Sequence, residues 1–402
     1  MKAHQPPCTF WLGRHKFSGS GLWVYLETIL PHLIERVLTE GCAVRVIGAG
    51  NEELAERLEL ILGEASSKIE FVWLKNPLGL RYLGHLQDIF YLGRFSGIFH
   101  GFSNVIPLFG GGDTNIVTLH DLFQAFPPSA PRGLIAKAKA RFYRMMFRLL
   151  FGRRKLAAVV TDLEDTTHQL RELYPVPKVV TVIHPPLAEH FRTRSDLEQS
   201  ESCEREDILL AFGSVDPRKN FPRILQAYKK FQTGAELHVV LANSHAESII
   251  SEQIRSSGIE GSKVTIHHHP DNDTLCALYR EASVTLFPSL AEGFGYPIYE
   301  SLSQGTPVLT SVGLVMGSLR VSQELLETCN PHSVDDIQRG IQSLLSLKVS
   351  PTLRDAVISE VQAALSPEKY VAQLVGCYFS VAKNARLCEV SQEIGNGLQP
   401  EP

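Results

Sequence analysis

Short apolar, β-branched runs alternate with longer amphipathic stretches along most of the chain. This alternation predicts repeated βα units and mostly parallel sheets. Seven runs in the first half are predicted as strands: Thr9–Leu12, Cys42–Ile47, Ile69–Leu74, Gly97–Phe102, Asn115–Leu119, Ala157–Thr161 and Val179–Ile183. Five more follow: Ile208–Phe212, Leu237–Leu241, Val264–His267, Val284–Phe287 and Pro307–Thr310. We therefore expect two doubly wound α/β domains, in which ligands bind at the carboxyl ends of the strands.

The segment between the two series of strands is rich in Ser, Glu and Asp and is predicted to be a linker at 193–206. The N-terminal domain is placed at 1–192 and the C-terminal domain at 207–366. A helix at 367–383 is predicted to cross back to the N-terminal domain. The remaining residues, 384–402, are predicted to form a flexible tail.

Composition narrows the class of protein. The 402 residues are 44% hydrophobic and 20% charged, which is typical of a folded, soluble protein. A net charge of -4 argues against a general nucleic-acid binder. The seven cysteines are scattered, so neither a disulfide framework nor a zinc site is indicated. Without a signal peptide or a long apolar run, the chain is expected to be cytoplasmic, with reduced thiols.

The most informative stretch is 284–308, which reads as strand, glycine-containing loop, helix, turn and strand. Gly293 and Gly295 allow the backbone to approach a ligand closely. Pro297 suits the first turn of the helix, whose free N–H groups then favour an anion such as a diphosphate. This loop is therefore a candidate phosphate site.

Two carboxylates in this stretch, Glu292 and Glu300, can reach one ligand from different heights and accept hydrogen bonds from sugar hydroxyls. The pattern Glu-Gly-Phe-Gly-x-Pro-x-x-Glu resembles the donor-site motif of glycosyltransferase family 4, which comprises retaining enzymes of the GT-B fold. The resemblance implies two Rossmann-like domains facing a central cleft. It also implies that Glu300 holds the ribose, that Glu292 faces the donor sugar, and that the Gly293, Phe294 and Gly295 amides lie near sugar and phosphate. Two surface glutamates on a tight turn are the alternative.

A second segment places Gly213 at a strand end and Arg218 and Lys219 before an amphipathic helix. A cation there can neutralise a leaving diphosphate. The resemblance implies this role for Lys219, whereas a basic turn at a helix start is the alternative. Many family members carry an arginine directly after the glycine, and Ser214 takes its place here. This difference leaves open whether Arg218 supplies a second cation.

The first half carries weaker signals. Gly19 and Gly21 resemble the family's glycine-rich loop over the donor phosphates and acceptor, although any tight βα turn has this composition. His120 and Asp121 resemble a His-Asp pair whose histidine reaches the donor sugar, where it could donate a hydrogen bond to a hydroxyl or to developing charge. A structural histidine and a capping aspartate are the alternatives. His100 also ends a strand, without an assigned role.

Three consecutive histidines, His267–His269, suggest a metal site at first sight. Side chains alternate faces along a strand, so the three cannot converge on one ion. The resemblance likewise implies that no metal or other cofactor is needed, and that a nucleoside-diphosphate sugar is the donor substrate.

A basic run at 132–155 holds nine Lys or Arg residues and no acid, interleaved with apolar and aromatic residues. Such a helix suits an anionic membrane surface, which would place the protein on the cytoplasmic face of the inner membrane. A helix packed on its own domain with a solvated basic face is the alternative.

The resemblance implies a retaining hexosyltransferase, with mannose as the guessed sugar and a glycan or lipid-linked acceptor in bacterial surface polysaccharide synthesis. A GT-B epimerase, a phosphorylase and a catalytically silent sugar-nucleotide-binding protein are the alternatives. Residues 311–320 depart from the family's usual Pro-Glu helix start, which leaves open an altered acceptor or donor choice, or weakened catalysis.

Overall fold

A computed structural model describes ten segments of the chain: 5–13, 21–48, 52–74, 89–104, 106–128, 133–153, 155–192, 207–231, 234–241 and 246–396. The chain divides into two compact units. The first comprises 1–127, 131–186 and 367–402, and the second comprises 128–130 and 187–366. The predicted linker at 193–206 lies outside the described residues.

Thirteen strands are present in the described segments. They are β1 Cys8–Gly13, β2 Val44–Gly48, β3 Ile69–Trp73, β4 Ile98–Gly101, β5 Thr114–Leu119, β6 Leu156–Thr161, β7 Val179–Val182, β8 Ile208–Phe212, β9 Glu236–Leu241, β10 Val264–His268, β11 Val284–Phe287, β12 Val308–Ser311 and β13 Leu326–Cys329. All twelve predicted strands are confirmed to within two residues at either end. β13 was not predicted, because Leu-Glu-Thr-Cys is too short and too polar to stand out.

Eleven α-helices are described between and after these strands. They are α1 Gly21–Thr39, α2 Glu52–Leu62, α3 Leu134–Phe151, α4 Glu164–Leu173, α5 Phe221–Phe231, α6 Glu247–Ser257, α7 Asn272–Glu281, α8 Tyr296–Ser303, α9 Val334–Leu345, α10 Pro351–Ala364 and α11 Pro367–Asn396. The last helix continues beyond residue 383, into the segment that the sequence predicted to be a flexible tail. None of the helices in the described part of the chain is long and apolar enough to cross a membrane.

The first unit is a parallel sheet in the order β3-β2-β1-β4-β5-β6-β7, with helices on both faces. Helices α1 and α11 supply Leu30, Leu33 and Leu374 to the core on one face. Helix α3 supplies Phe147 and Leu150 to the core on the other face. Every residue of β5 is buried, as expected of a central parallel strand covered on both sides.

The second unit is a parallel sheet in the order β10-β9-β8-β11-β12-β13. The direction of winding reverses between the neighbours β8 and β11, and ligands of doubly wound sheets bind beyond the carboxyl ends of such a strand pair. Both sequence motifs follow these two strands. Gly213 permits the close packing at the end of β8, since a Cβ there would lie 2.5 Å from Leu241 Cδ2 and 2.9 Å from Val239 Cγ1.

Candidate donor site and the histidine cluster

The two loops that carry the motifs of the second unit are joined by hydrogen bonds. The Asn220 side-chain amide donates to the Pro288 carbonyl oxygen (2.9 Å), and the Leu290 N–H donates to the Arg218 carbonyl oxygen (2.7 Å). Asn220 is buried and has a left-handed backbone with φ 59°. These bonds fix the loop after β8 against the loop after β11. Asn220 was not among the predicted site residues, although it directly follows Lys219.

The joined loops bring Lys219 and Glu292 together. Lys219 Nζ donates to both carboxylate oxygens of Glu292, at 2.8 Å and 3.0 Å, and lies 4.8 Å from the centre of the Phe287 ring. The exposed fraction is 27% for the lysine side chain and 8% for the glutamate side chain. An ammonium group has three N–H donors, so one remains for an anion at the exposed side of this pair.

Glu300 lies one turn into α8 and accepts a hydrogen bond from the Tyr279 hydroxyl on α7 (2.7 Å). Burial of the carboxyl group raises the pKa of Glu300 to about 7, although the Tyr279 hydrogen bond and the Lys219 charge both act to lower it. Lys219 is thus close enough to act on both glutamates. Tyr279 was not predicted, because a buried tyrosine on an amphipathic helix resembles any core residue.

The start of α8 has the geometry that the glycines and proline imply. Gly295 caps the helix with φ 87°, and Pro297 lies in the first turn. Phe294 is buried, with its ring stacked on Tyr299 at 4.6 Å between centres. The Phe294 side chain therefore anchors the loop in the core. A helix start of this kind favours an anion.

Arg218 and Ser214 are engaged with their own loop. The Arg218 guanidinium forms a two-pronged ion pair with Asp216, with Nη2 2.6 Å and Nε 2.9 Å from Oδ2. Partial burial raises the pKa of Asp216, but the hydrogen bonds and charge of Arg218 outweigh it and bring that pKa below its ordinary value. The Ser214 hydroxyl accepts from the Asp216 N–H at 3.1 Å. Asp216 thus already balances the charge of Arg218.

Residues 193–362, which include every loop residue described above, match the sequence model of a family described as Glycosyl transferases group 1. We call this segment the group 1 domain, after the family that it matches. The predicted resemblance to glycosyltransferase family 4 is confirmed by this match and by similar proteins.

The similarity to known relatives and to solved structures covers more of the chain than the group 1 domain. The O-antigen chain mannosyltransferase B of Escherichia coli is 27% identical over 222 residues, which are 52% of this chain and 56% of the relative. The chain spans about half the length or less of the mannosyltransferases that it matches. WaaG, a glycosyltransferase involved in lipopolysaccharide biosynthesis, is 18% identical with a TM-score of 0.60, covering 90% of this chain and 98% of WaaG. Anabaena HepE in complex with UDP and glucose is 14% identical with a TM-score of 0.62, covering 94% of this chain and 100% of HepE. With the two parallel sheets, these likenesses establish the GT-B fold.

Outside the group 1 domain, the first unit contains two histidines, His120 and His100, which we call the histidine cluster. His120 Nδ1 lies 2.7 Å from Asp162 Oδ2, and His120 Nε2 lies 3.2 Å from the Phe102 carbonyl oxygen. Both partners only accept hydrogen bonds, so an imidazolium, with two N–H donors, fits the site better than a neutral ring. Burial alone lowers the pKa of His120, but the charge and hydrogen bond of Asp162 raise it above its ordinary value.

Asp121, Gly21 and Gly19 are the other site residues predicted in the first half. Asp121 Oδ1 accepts from the Phe123 N–H (2.9 Å) and from the Asn104 side chain (3.3 Å), as a capping aspartate does. Gly21 is the exposed first residue of α1. Gly19 lies outside the described residues.

His100 belongs to the core of the first unit. Its ring nitrogens form hydrogen bonds with the Tyr378 hydroxyl on α11 and with the Thr118 hydroxyl on β5 (2.9 Å for the latter). Burial, together with the nearby charge of His120, lowers the pKa of His100 to about 3. His100 therefore stays neutral and links the sheet to α11.

In the histidine run of the group 1 domain, His267 Nε2 lies 3.2 Å from His238 Nδ1 on the neighbouring strand, and burial lowers the pKa of His267. Over the described residues, no three His, Cys, Asp or Glu side chains are grouped so that they could hold a metal ion.

Proposed function

We propose that this chain is a retaining glycosyltransferase in bacterial surface polysaccharide synthesis. It moves a hexose, with mannose as the first candidate, from a nucleoside-diphosphate sugar to a glycan or lipid-linked acceptor. The observation that carries the proposal is the pairing of Lys219 with Glu292 at 2.8 Å, beside Glu300, beyond the strands where the sheet reverses its winding. One cation and two carboxylates then surround a single phosphate-binding helix start.

In this proposal each group has one task. Glu300 accepts hydrogen bonds from the ribose hydroxyls, and Glu292 accepts from the donor sugar. The backbone amides of Gly293, Phe294 and Gly295 and the start of α8 contact the diphosphate. Two N–H groups of Lys219 donate to Glu292, and the third donates to the same diphosphate.

The reaction breaks the bond between the anomeric carbon and the diphosphate oxygen. The acceptor hydroxyl forms the new bond on the same face, and its proton passes to the departing phosphate oxygen. Negative charge grows on the diphosphate in the transition state, so Lys219 and the α8 N–H groups supply most of the stabilisation. In this scheme His120 has a positioning role, because both of its ring nitrogens already have partners. No metal or other cofactor takes part.

The names of similar proteins support the choice of sugar and pathway. The Escherichia coli relative is named an O-antigen chain mannosyltransferase, and HepE was solved with UDP and glucose. We take GDP-mannose and UDP-glucose as the first two donors to test.

Peripheral contact with an anionic membrane is part of the proposal. On α3, the exposed side chains include Lys137, Lys139, Arg141 and Arg148 together with the apolar Leu134, Ile135, Met145 and Leu149. The opposite face, with Phe147 and Leu150, packs in the core. A helix that presents both basic and apolar groups to solvent suits a lipid surface. Arg132 and Arg154 of the basic run lie outside the described residues.

Thermal denaturation of the purified chain with UDP-, GDP-, dTDP- and ADP-sugars tests the donor site, since a ligand that binds only the folded state raises its Tm. We expect one nucleotide class to stabilise the chain, and Glu300→Ala to lose that shift while Glu324→Ala, an exposed control, retains it. Normal turnover by Glu300→Ala would contradict the site.

Product analysis then separates the reaction classes. Transfer to an acceptor with the anomeric configuration retained supports the proposal. Isomerised donor without an acceptor supports an epimerase, and phosphate as acceptor supports a phosphorylase. Tight binding without turnover on any acceptor supports a silent sugar-nucleotide-binding protein.

A further inference from the structure

Two loop segments of the first unit, 89–94 and 107–111, together present an apolar surface to solvent. The Leu108 N–H donates to the Ile89 carbonyl oxygen (2.8 Å), and the Gly111 N–H donates to the Gly93 carbonyl oxygen (2.9 Å). Side chains of the first segment alternate in burial. Ile89 is 1% exposed and Tyr91 packs on Trp11, whereas Phe90 is 53% exposed and Leu92 is 70% exposed.

The second segment adds Phe109, which is 56% exposed and stacks on Phe90 with 6.0 Å between ring centres. Phe90, Leu92 and Phe109 form what we call the Phe90 platform. Single exposed apolar residues are common on soluble proteins, but a group of large side chains held side by side marks an interaction site.

Hydrogen bonds from Arg153 hold the backbone of the second platform segment in place. Arg153, two residues after α3, donates from Nη1 to the Pro107 carbonyl oxygen (2.6 Å) and from Nη2 to the Gly110 carbonyl oxygen (3.0 Å), so its bonds flank Phe109. Gly110 is required where the segments meet, since a Cβ there would lie 2.6 Å from the carbonyl oxygens of Gly93 and Tyr91. The exposed rings are therefore presented by a built scaffold.

The charged side chains described around the platform are mainly positive. Arg94 is exposed at the next alternate position of the first segment, and Arg148 and Lys155 are exposed at and beyond the end of α3. The Lys155 carbonyl oxygen accepts from Asn115 N–H, just after the second segment. Of the two nearest acids in sequence, Asp113 accepts a hydrogen bond from the Gly97 N–H (2.9 Å), and Asp88, directly before the first segment, lies outside the described residues.

This combination selects one partner. Lys137, Lys139 and Lys155 are exposed on and beyond α3, and interfaces between proteins are depleted in lysine. An anionic bilayer instead attracts Lys and Arg to its surface and takes aromatic and aliphatic side chains into its interfacial layer. We infer that Phe90, Leu92 and Phe109 insert into the interfacial layer of an anionic membrane next to the basic face of α3. The inference rests on the membrane contact in the proposed function and adds a second, apolar element to it.

Flotation of the full chain with phosphatidylcholine vesicles, with and without phosphatidylglycerol, tests this inference. We expect binding to the anionic vesicles, and we expect Phe90→Ser/Phe109→Ser to weaken it about tenfold or more without changing its salt dependence, because two half-buried rings are lost but no charge. Leu60→Ser/Ile249→Ser, with comparably exposed apolar residues elsewhere, is the matched control and should bind like the native chain.

A spectroscopic measurement reports insertion directly. Phe109→Trp fluorescence should be quenched by brominated phosphatidylglycerol lipids, and a Leu60→Trp control should not. Unchanged flotation of the double serine variant, or an unquenched Phe109→Trp, overturns the inference. Self-association that depends on Phe90 and Phe109, measured by analytical ultracentrifugation, also overturns it in favour of a second copy of the chain. The donor-dependent Tm shift of the serine variant should stay native, so this outcome is independent of the test of the transferase function.

Discussion

The donor loops of the second unit and the histidine cluster of the first unit both pair a cation with a carboxylate, but in different surroundings. The Lys219 side chain is 27% exposed and forms an ion pair with Glu292 on the other loop. In the first unit, His120 is 17% exposed and Asp162 only 4%, and both ring nitrogens of His120 have partners. An exposed pair with a spare donor can accept a ligand, whereas an enclosed pair keeps its partners. In the proposed function, this difference gives the first pair a binding role and the second pair a positioning role.

Removal of Lys219 is expected to have the largest effect. Lys219→Ala should lower kcat for transfer by about 10²–10³, the usual cost of losing a group that stabilises developing charge. Lys230→Ala, an exposed lysine on α5, should transfer normally. Lys219→Ala also leaves Glu292 without its partner, so Lys219→Ala/Glu292→Gln should regain Tm but not kcat. A native kcat in Lys219→Ala would erase the contrast between the two pairs.

Asp162→Asn tests the enclosed pair. Without the carboxylate, burial dominates and the pKa of His120 should fall below its ordinary value, as followed by NMR of the imidazole ring. The free energy of unfolding should drop by about 1–3 kcal/mol. In the native chain the raised pKa stabilises the fold fully below the unfolded pKa, and this contribution is lost as the pH rises through the folded pKa. Asp165→Asn, exposed on α4, should alter neither quantity; an unshifted His120 titration would show that the pair is not charged.

The pH dependence of donor affinity sharpens the contrast further. With a folded pKa of about 7, Glu300 is mostly protonated at about pH 6 and mostly ionised at about pH 8, so donor affinity should be about tenfold weaker at the lower pH. Isothermal titration over this range checks it, and Glu300→Gln should bind weakly with a flat profile. For stability the sign is opposite, since protonated Glu300 favours the fold below about pH 4.5 and this contribution is lost as the pH rises to about 7. A pH-independent native affinity would contradict the assigned role.

Arg218→Gln should have the smallest effect. Its ion pair with Asp216 is partly exposed, so its loss should cost about 1 kcal/mol or less and change donor affinity by about fivefold at most. Arg218→Lys provides the comparison that keeps the charge. A loss as large as that of Lys219→Ala would mean that Arg218 replaces the arginine that family members carry where this chain has Ser214.

The donor loops could be found from the sequence because their chemistry lies in contiguous segments. Glu292 and Glu300 are eight residues apart on one loop and helix, and the glycine and proline between them dictate the helix start. Lys219 follows a strand in the same way. The contact between Lys219 and Glu292, which are 73 residues apart, could not be derived from the sequence. Neither could the role of Asn220, which joins the two loops.

The histidine cluster was only partly accessible to sequence reasoning. His120 and His100 could be placed at strand ends by periodicity, but their partners come from distant parts of the chain. Asp162 is 42 residues from His120, and Tyr378 is 278 residues from His100. The Phe90 platform was missed because alternating exposure in a loop leaves no signal in a sequence where Phe and Leu also fill the core.

Helix α11 has a consequence for the order in which this protein matures. Tyr370, Leu374 and Tyr378 fill the core of the first unit, yet they are encoded after the whole second unit. Domains usually acquire structure in the order of synthesis. When residue 366 has been synthesised, the strands of both sheets are complete. The first unit still lacks Tyr370, Leu374 and Tyr378, which complete its core. The nascent N-terminal half must therefore wait for helix α11 to emerge before its interior closes.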